Sequence, residues 1–189
     1  MVYPSKLSPE AILQAAERLL RGGGEEGLSM RALAEALGVR ASSLYRHYPD
    51  RAALLLALED GAVLALHREM AAAAEGLFPG EAVLAAGHAY LNYARAQPHL
   101  YGLLLAHRPP AVAGPGAGKA LWNHVLHLVG AVTGHPDDTA AAVAFWAYLH
   151  GFALLERSGQ FGLSGPRGGF ERGLEALVRG LATEQKGGG

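Results

Sequence analysis

Short polar and cationic side chains are concentrated between Arg40 and His47. Ser42 and Ser43 stand near the start of this stretch, and Arg46 lies with His47 at its end. Short side chains at the start of a helix can approach base edges in a DNA major groove, while flanking donors reach phosphates. A solvated protein surface does not need this combination. The residue types therefore favour a helix that binds in a major groove, with two ordinary helices of a bundle as the alternative.

Two short helices joined by a tight turn are predicted to position these side chains. Ser29 is placed to cap the first helix, and Gly38 supplies the left-handed residue that ends it. The second helix is predicted to reach Tyr48, with Leu44 and Tyr48 pointing inward and Pro49 stopping it. The first helix has one apolar face with helical spacing, formed by Met30, Leu33, Ala34 and Leu37. The pattern indicates a helix-turn-helix.

Residues 28–56 resemble the DNA-binding motif of the tetracycline-repressor (TetR) family of bacterial regulators. The sequence departs from the family pattern at Tyr48, where Phe is usual, and at Arg51, where Lys is usual. The first change keeps an aromatic side chain, whereas the second keeps the charge but alters the donor geometry. The matching residues are Leu33-Ala34, Gly38-Val39 and Leu44-Tyr45-Arg46-His47-Tyr48-Pro49-Asp50-Arg51.

The resemblance implies roles for individual residues of the motif. Arg31, Ser42 and Ser43 match base-facing positions, and three others match backbone-facing ones: Tyr45, His47 and Arg51. Ser29 is expected to hold the start of its helix against a phosphate. The complete predicted DNA-binding set is Ser29, Arg31, Arg40, Ala41, Ser42, Ser43, Tyr45, Arg46, His47 and Arg51. The implied partners are a pseudo-palindromic double-stranded operator, a second copy of the chain and a small-molecule effector.

The chain as a whole is predicted to be all-α, with about nine helices and no segment typical of a strand. Ser8-Pro9 opens the first helix, and Asp50 caps a long fourth helix that runs to about Glu75. We expect a three-helix DNA-binding domain over residues 1–51, an effector-binding and dimerisation domain over residues 52–186, and a disordered tail at residues 187–189. The Pro/Gly-rich segment 108–118 is predicted to be a flexible loop that could gate the effector site.

Composition restricts the class of protein further. Half of the 189 residues are hydrophobic, enough for a sizeable core, and the net charge is −1. DNA binding must then depend on placed side chains, which disfavours a nonspecific architectural protein, the alternative interpretation. The absence of cysteine excludes disulfides and thiolate sites.

The N-terminus lacks an apolar signal core, and the uncharged run 139–155 is interpreted as a helix buried on all sides. A cytoplasmic location without a membrane partner is therefore expected.

The last two helices are predicted to form the dimer interface. The resemblance implies that such helices pair with their copies as a four-helix interface. The eighth helix is uncharged for nearly five turns, and the ninth is amphipathic and needs a partner for its apolar stripe. The predicted interface residues are Trp146, Leu149, Phe152, Leu174, Leu177 and Leu181, with packing in the subunit's own core as the alternative for each. The segment 145–161 also resembles a Trp…His-Gly segment found in one branch of the family.

A ligand pocket needs apolar walls and a few polar groups, which aromatic side chains with polar tips can supply. Such residues fall on helices that are predicted to surround the centre of the second domain. Because Arg95 and Arg108 are almost the only cations nearby in sequence, an apolar or aromatic effector fits better than a highly charged one. The candidate ligand-binding residues are Tyr90, Tyr93, Tyr101, Trp122, Phe145, Trp146 and His150, with core packing as the alternative for each.

Metal binding and catalysis are the remaining classes. His124 and His127 could share one ion at their i, i+3 spacing, but two ligands without an acidic partner do not form a site. The sequence contains no nucleophile elbow, phosphate loop or metal-hydrolase motif. We therefore expect no cofactor, no metal and no enzymatic activity.

Overall fold

The structure is a computed structural model that describes residues 7–105 and 117–187. Within these ranges the chain forms nine helices and no strand, which confirms the predicted all-α fold. Most of the predicted gate loop and the end of the predicted tail, residues 106–116 and 188–189, lie outside the described residues. The helices are α1 (Pro9–Gly27), α2 (Met30–Ala36), α3 (Ala41–Leu44), α4 (Arg51–Ala74), α5 (Pro79–Ala96), α6 (Pro98–Leu105), α7 (Ala117–Thr133), α8 (Thr139–Arg157) and α9 (Gly169–Gly187).

The helices divide between two compact units. The head unit comprises residues 7–62 and 99–105, and the body unit comprises residues 63–98 and 117–187. Helix α4 belongs to both, because the division falls between Ala62 and Val63. The Asp50 carboxylate accepts a hydrogen bond from the Ala53 amide at 2.8 Å, which confirms the predicted cap of this helix.

The head unit has one apolar core shared by α1 to α4 and α6. Ser8 caps α1 as predicted, accepting from the Ala11 amide at 3.1 Å. Leu100 and Leu103 of α6, which the sequence analysis assigned to the second domain, are buried in this core. The head unit is therefore larger than the predicted DNA-binding domain. Its other buried residues are Ile12, Ala15, Ala16, Leu20, Leu28, Met30, Leu33, Ala34, Leu44, Leu54, Leu55, Leu58 and Ala62.

The body unit is built on the packing of α5, α7, α8 and α9 against one another. Glycines allow close approach between α5 and α9 and between α7 and the turn that follows it. A Cβ on Gly87 of α5 would lie 2.7 Å from a methyl group of Leu174, and one on Gly130 of α7 would lie 2.8 Å from the backbone oxygen of His135. Arg95 and Glu156 join α5 to α8 through two hydrogen bonds of 2.8 and 2.7 Å.

Helix α8 is buried on one face only, so the prediction of a helix buried on all sides is wrong within the subunit. Its inner face includes Ala142, Phe145 and Leu149, whereas Val143 and Leu154 are about half exposed. By length and composition alone, Thr139–Arg157 could cross a membrane. Only 28% of its most apolar stretch is buried inside the protein. The outer apolar face of α8 therefore needs another explanation than the core of the subunit.

Candidate functional site

The helix-turn-helix has the predicted caps and turn. The Ser29 hydroxyl accepts a hydrogen bond from the Ala32 amide at 3.1 Å, and Gly38 has φ of 64°. Val39 packs partly buried against the head core. Each of these features follows from local sequence, because a cap or a left-handed glycine is determined within one turn of helix.

The second helix is shorter than predicted. Helix α3 ends at Leu44, and a turn follows in which the Leu44 carbonyl accepts from both His47 and Tyr48 at 2.9 Å. Two amides sharing one carbonyl tighten the chain beyond an α-helical turn. The partly buried ring of Tyr48 packs on the head core just before Pro49, which disfavours helical geometry in the residue before it. The prediction of a helix to Tyr48 is therefore corrected.

Most of the predicted DNA-binding side chains are exposed in the head unit. Tyr45 is 50% exposed despite its large ring, and Ala41 and Ser43 are partly exposed. In the described structure no hydrogen bond or ion pair engages the guanidinium groups of Arg31, Arg40 and Arg46. Their donors remain available to an external acceptor. The fully exposed members are Ser29, Arg31, Arg40, Ser42, Tyr45, Arg46 and His47.

Arg51 differs from the other predicted DNA ligands. Its Nε donates to the Leu28 carbonyl at 2.7 Å, and its Nη2 donates to the Glu25 carbonyl at 2.5 Å. The Glu25 carboxylate lies 3.9 Å from the same Nη2. The guanidinium is thus engaged with the junction of α1 and α2 in the protein without DNA.

Three of the seven candidate ligand-binding residues come together in the body unit. The Tyr90 hydroxyl is hydrogen bonded to Nδ1 of His150, and the Tyr90 and Trp146 rings meet edge to face at 5.4 Å. Trp146 stacks on His150 at 5.7 Å. Burial lowers the pKa of His150, so its ring is neutral near pH 7. This cluster joins α5 to α8, with Tyr90 fully buried and both Trp146 and His150 partly exposed.

The other candidates do not join that cluster into a pocket. Tyr90, Tyr101 and Phe145 are fully buried and Tyr93 nearly so, while Trp122 is partly exposed. Tyr101 belongs to the head unit rather than the body. Large aromatic side chains fill the cores, because their apolar surface is most stabilising there.

Two cavities of the body unit are lined by residues other than the seven candidates. One of about 530 Å³ is bordered by the end of α4, the start of α5 and one face of α7. A second, of about 410 Å³, lies between α7 and the turn that precedes α8. None of the seven candidates lines either cavity. The polar groups at the larger one, which sequence reasoning did not select for a ligand site, are Arg68, Glu75, His124 and His127.

The two histidines considered for a metal lie beside a third. The rings of His67 and His124 are 5.0 Å apart, and burial, His67 and His127 together lower the pKa of His124. In the described part of the chain, no group of three or more metal-ligating side chains could hold an ion. The arrangement is a partly buried contact between α4 and α7.

The predicted dimer residues divide into two groups. Leu149, Leu174 and Leu181 are buried inside the body unit, so their side chains fill its own core. Trp146, Phe152 and Leu177 are partly exposed, and Phe152 packs against Phe170 at 5.0 Å between ring centres. The exposed aliphatic residues Val143, Leu154 and Leu155 were missed. A stripe of small residues marks the outer face of α8 in the sequence: Ala140, Ala144, Ala147 and Gly151.

Comparison with known proteins matches both parts of the chain. Residues 12–58 match the family model described as bacterial regulatory proteins, tetR family. Residues 83–181 match the model described as tetracyclin repressor-like, C-terminal domain. An uncharacterized HTH-type transcriptional regulator from Mycobacterium tuberculosis is 31% identical over 164 residues, which cover 82% of this chain and 73% of that protein.

Solved structures agree with this result. A protein of unknown function from Rhodococcus sp. RHA1 superimposes with a TM-score of 0.82 at 27% identity, covering 96% of this chain and 100% of the other. A TetR variant from Acinetobacter baumannii AYE, solved in complex with minocycline, has a TM-score of 0.72 at 22% identity. It covers 95% of this chain and 99% of the other, and at this identity the likeness concerns the fold.

Proposed function

Because the chain belongs to the tetracycline-repressor (TetR) family of DNA-binding transcriptional regulators, we propose that it is a repressor that a small molecule releases from its operator. The observation that carries the proposal is the exposed group of cations and hydroxyls on the helix-turn-helix. Among the described residues, Arg31, Arg40 and Arg46 have no protein partner. Free guanidinium groups can form charge-assisted hydrogen bonds with phosphates, while the short serines beside them can approach base edges.

The proposed division of labour is the one that the family resemblance implies. Ser42 and Ser43 let the start of α3 approach base edges, and Arg31 at the start of α2 reads a base. Tyr45 and His47, in the turn after α3, contact the DNA backbone. Residues 1–51 are the proposed DNA-binding domain, although the head unit that supports it is larger.

We further propose that the protein acts as a homodimer through α8 and α9. The outer face of α8 exposes Val143 and Leu154 beside small residues that allow a helix to approach closely. An apolar face of this kind on a soluble regulator is explained by a second copy of the same helix. Two heads would then meet successive major grooves of a pseudo-palindrome, about 34–36 Å apart. This explanation removes the need for a membrane, and a cytoplasmic location follows from operator binding.

The proposed effector site is the larger body cavity. Its volume of about 530 Å³ falls in the range of small-molecule sites, and its walls are chiefly alanine, leucine and proline side chains. A compact, mainly apolar effector fits these walls. Minocycline binding by the Acinetobacter TetR variant supports a small molecule in this fold. Since α4 borders the cavity and continues into the head unit, effector binding is expected to act on the head through α4.

Selection of bound sequences from a random DNA pool tests the function directly. We expect a pseudo-palindromic site bound well above nonspecific DNA, with a ratio that survives moderate salt. Binding without sequence preference would contradict the proposal and favour an architectural protein. Native mass spectrometry of the purified protein, with and without operator, would identify a retained effector and the number of chains.

A further inference from the structure

The guanidinium of Arg51 lies at the junction between α1 and α2. Leu28 is the C-cap residue of α1 and immediately precedes Ser29, the N-cap residue of α2. The guanidinium donates to the Leu28 and Glu25 carbonyls at 2.7 and 2.5 Å. The last carbonyls of a helix have no partner within the helix, and a cation is favourable beside them. The Leu28 amide already donates to the Glu25 carbonyl at 3.3 Å, so Arg51 adds a second donor to that carbonyl and also donates to the Leu28 carbonyl.

The other side of this contact is held rigidly. Arg51 opens α4, and Leu54 and Leu55 in the following turn are buried in the same head core as Leu28. The backbone of α4 is thus fixed by packing, while its first side chain reaches back to the junction. The guanidinium reaches the two carbonyls through two separate nitrogens of one planar group, whereas a lysine ammonium would have to reach both oxygens from a single nitrogen.

Arg51 differs from the other arginines of the helix-turn-helix in having protein partners, and this difference indicates its role. In the described part of the chain, Arg31, Arg40 and Arg46 bind no protein group, whereas Arg51 is engaged with backbone oxygens. We propose that Arg51 is a positioning residue for operator binding, which couples the first turn of α4 to the α1–α2 junction instead of binding a DNA phosphate. This inference rests on the proposed operator binding. Displacement of the first turn of α4 would then reach Ser29 and the start of α2 through these two hydrogen bonds.

The first experiment compares two arginine-to-lysine variants of the head unit by operator titration over a salt series. Arg51→Lys keeps the charge but loses the fork, and we expect operator affinity to fall by about tenfold or more from the loss of charge-assisted hydrogen bonds. The slope of log affinity against log salt should stay at the wild-type value, because no phosphate contact is lost. The matched control is Arg21→Lys, whose exposed arginine pairs with Glu17 on α1. It should bind like the wild type.

Arg51→Ala separates the two roles most clearly. A phosphate ligand would lower the magnitude of the salt slope by about one when removed. A positioning residue would lower affinity at every salt concentration without that change. Arg46→Ala provides the reference for a lost phosphate-type contact. A wild-type affinity for Arg51→Lys, together with a reduced slope for Arg51→Ala, would overturn the proposal.

A measurement on the wild-type protein covers the case in which a variant fails to fold. The Nε proton of Arg51 should be protected from solvent exchange in the free protein and equally in the operator complex. A phosphate ligand would show protection only in the complex, which would contradict the proposal. If no operator is found at all, the proposed function fails, while protection in the free protein still reports the hydrogen bonds.

Discussion

The helix-turn-helix and the outer face of α8 both expose side chains that the subunit does not use, but their chemistry is opposite. The first exposes guanidinium and hydroxyl groups without protein partners. The second exposes aliphatic groups beside alanine and glycine. Unpaired cations match an anionic polymer, whereas an exposed apolar face matches a second apolar face. The two surfaces therefore fit the two different partners that we propose, DNA and another copy of the chain.

The two faces of α8 provide the strongest test of this contrast. Val143 is 51% exposed and Leu149 is 0% exposed on the same helix. Val143→Glu should give a folded monomer that has lost high-affinity operator binding, because a charge would lie within the proposed dimer interface. Leu149→Glu should unfold the body unit instead, because the charge would be buried without a partner. Sedimentation and circular dichroism distinguish these outcomes, and a dimeric Val143→Glu protein with normal operator binding would refute the assignment.

Phe145 tests whether the inner face of α8 is core or effector site. The side chain is fully buried and lines neither body cavity described above. Phe145→Ala should therefore cost about 3–5 kcal/mol in the free energy of unfolding. The control is Leu163→Ala, which removes a fully exposed apolar side chain and should change stability little. Chemical denaturation measures both. A small loss of stability combined with a lost effector response would place Phe145 in the ligand site after all.

The same contrast explains how much could be predicted from the sequence. Ser29, Gly38 and Asp50 act within one helical turn, so their roles were predicted and confirmed. Most of helix α8 is apolar on every face, so its sequence shows no apolar stripe that would identify the face turned toward the core. The interface residues predicted on this helix therefore include Leu149, which is buried in the core of the subunit.

Long-range packing was the second limit. Helix α6 is short, and nothing local indicates which core Leu100 and Leu103 will join. The carbonyl partners of Arg51 lie more than twenty residues away in the chain, so its engagement could not be read from spacing. The proposed DNA-binding residues fall within one short stretch of the chain, residues 29–51, whereas the residues that line the larger cavity come from several helices.

Arg31 tests the polar surface at the level of one base. Its side chain is exposed at the start of α2 and has no partner in the described structure. Arg31→Ala should relax preference at one operator position, at a cost of about 1–3 kcal/mol for the preferred sequence. Arg46→Ala should instead weaken binding to all sequences alike. Binding selection with both variants measures this difference, and an unchanged preference in Arg31→Ala would remove it from the base-reading role.

The smallest effect on stability is expected at the end of α8, where Glu156 forms an ion pair with Arg95 of α5. Two hydrogen bonds from Arg95 lower the pKa of Glu156 below its ordinary value of 4.5 and raise that of Arg95. Between the lowered pKa and 4.5, the unfolded chain binds more protons at this carboxyl than the folded chain does. The contribution of the ionised Glu156 carboxylate to the free energy of unfolding is therefore complete above pH 4.5 and is lost as the pH falls through the lowered pKa.

Glu156→Gln should remove this part of the acid dependence while costing only about 0.5–1 kcal/mol at neutral pH, because the pair is partly exposed to solvent. Thermal unfolding of the wild type and the variant across the acid range measures the difference. The matched control is Glu175→Gln on α9, whose ion pair with Arg179 is more exposed and longer, at 3.6 Å. It should leave the acid profile nearly unchanged. Parallel profiles for the wild type and Glu156→Gln would show that Arg95 and Glu156 do not hold α5 against α8 in solution.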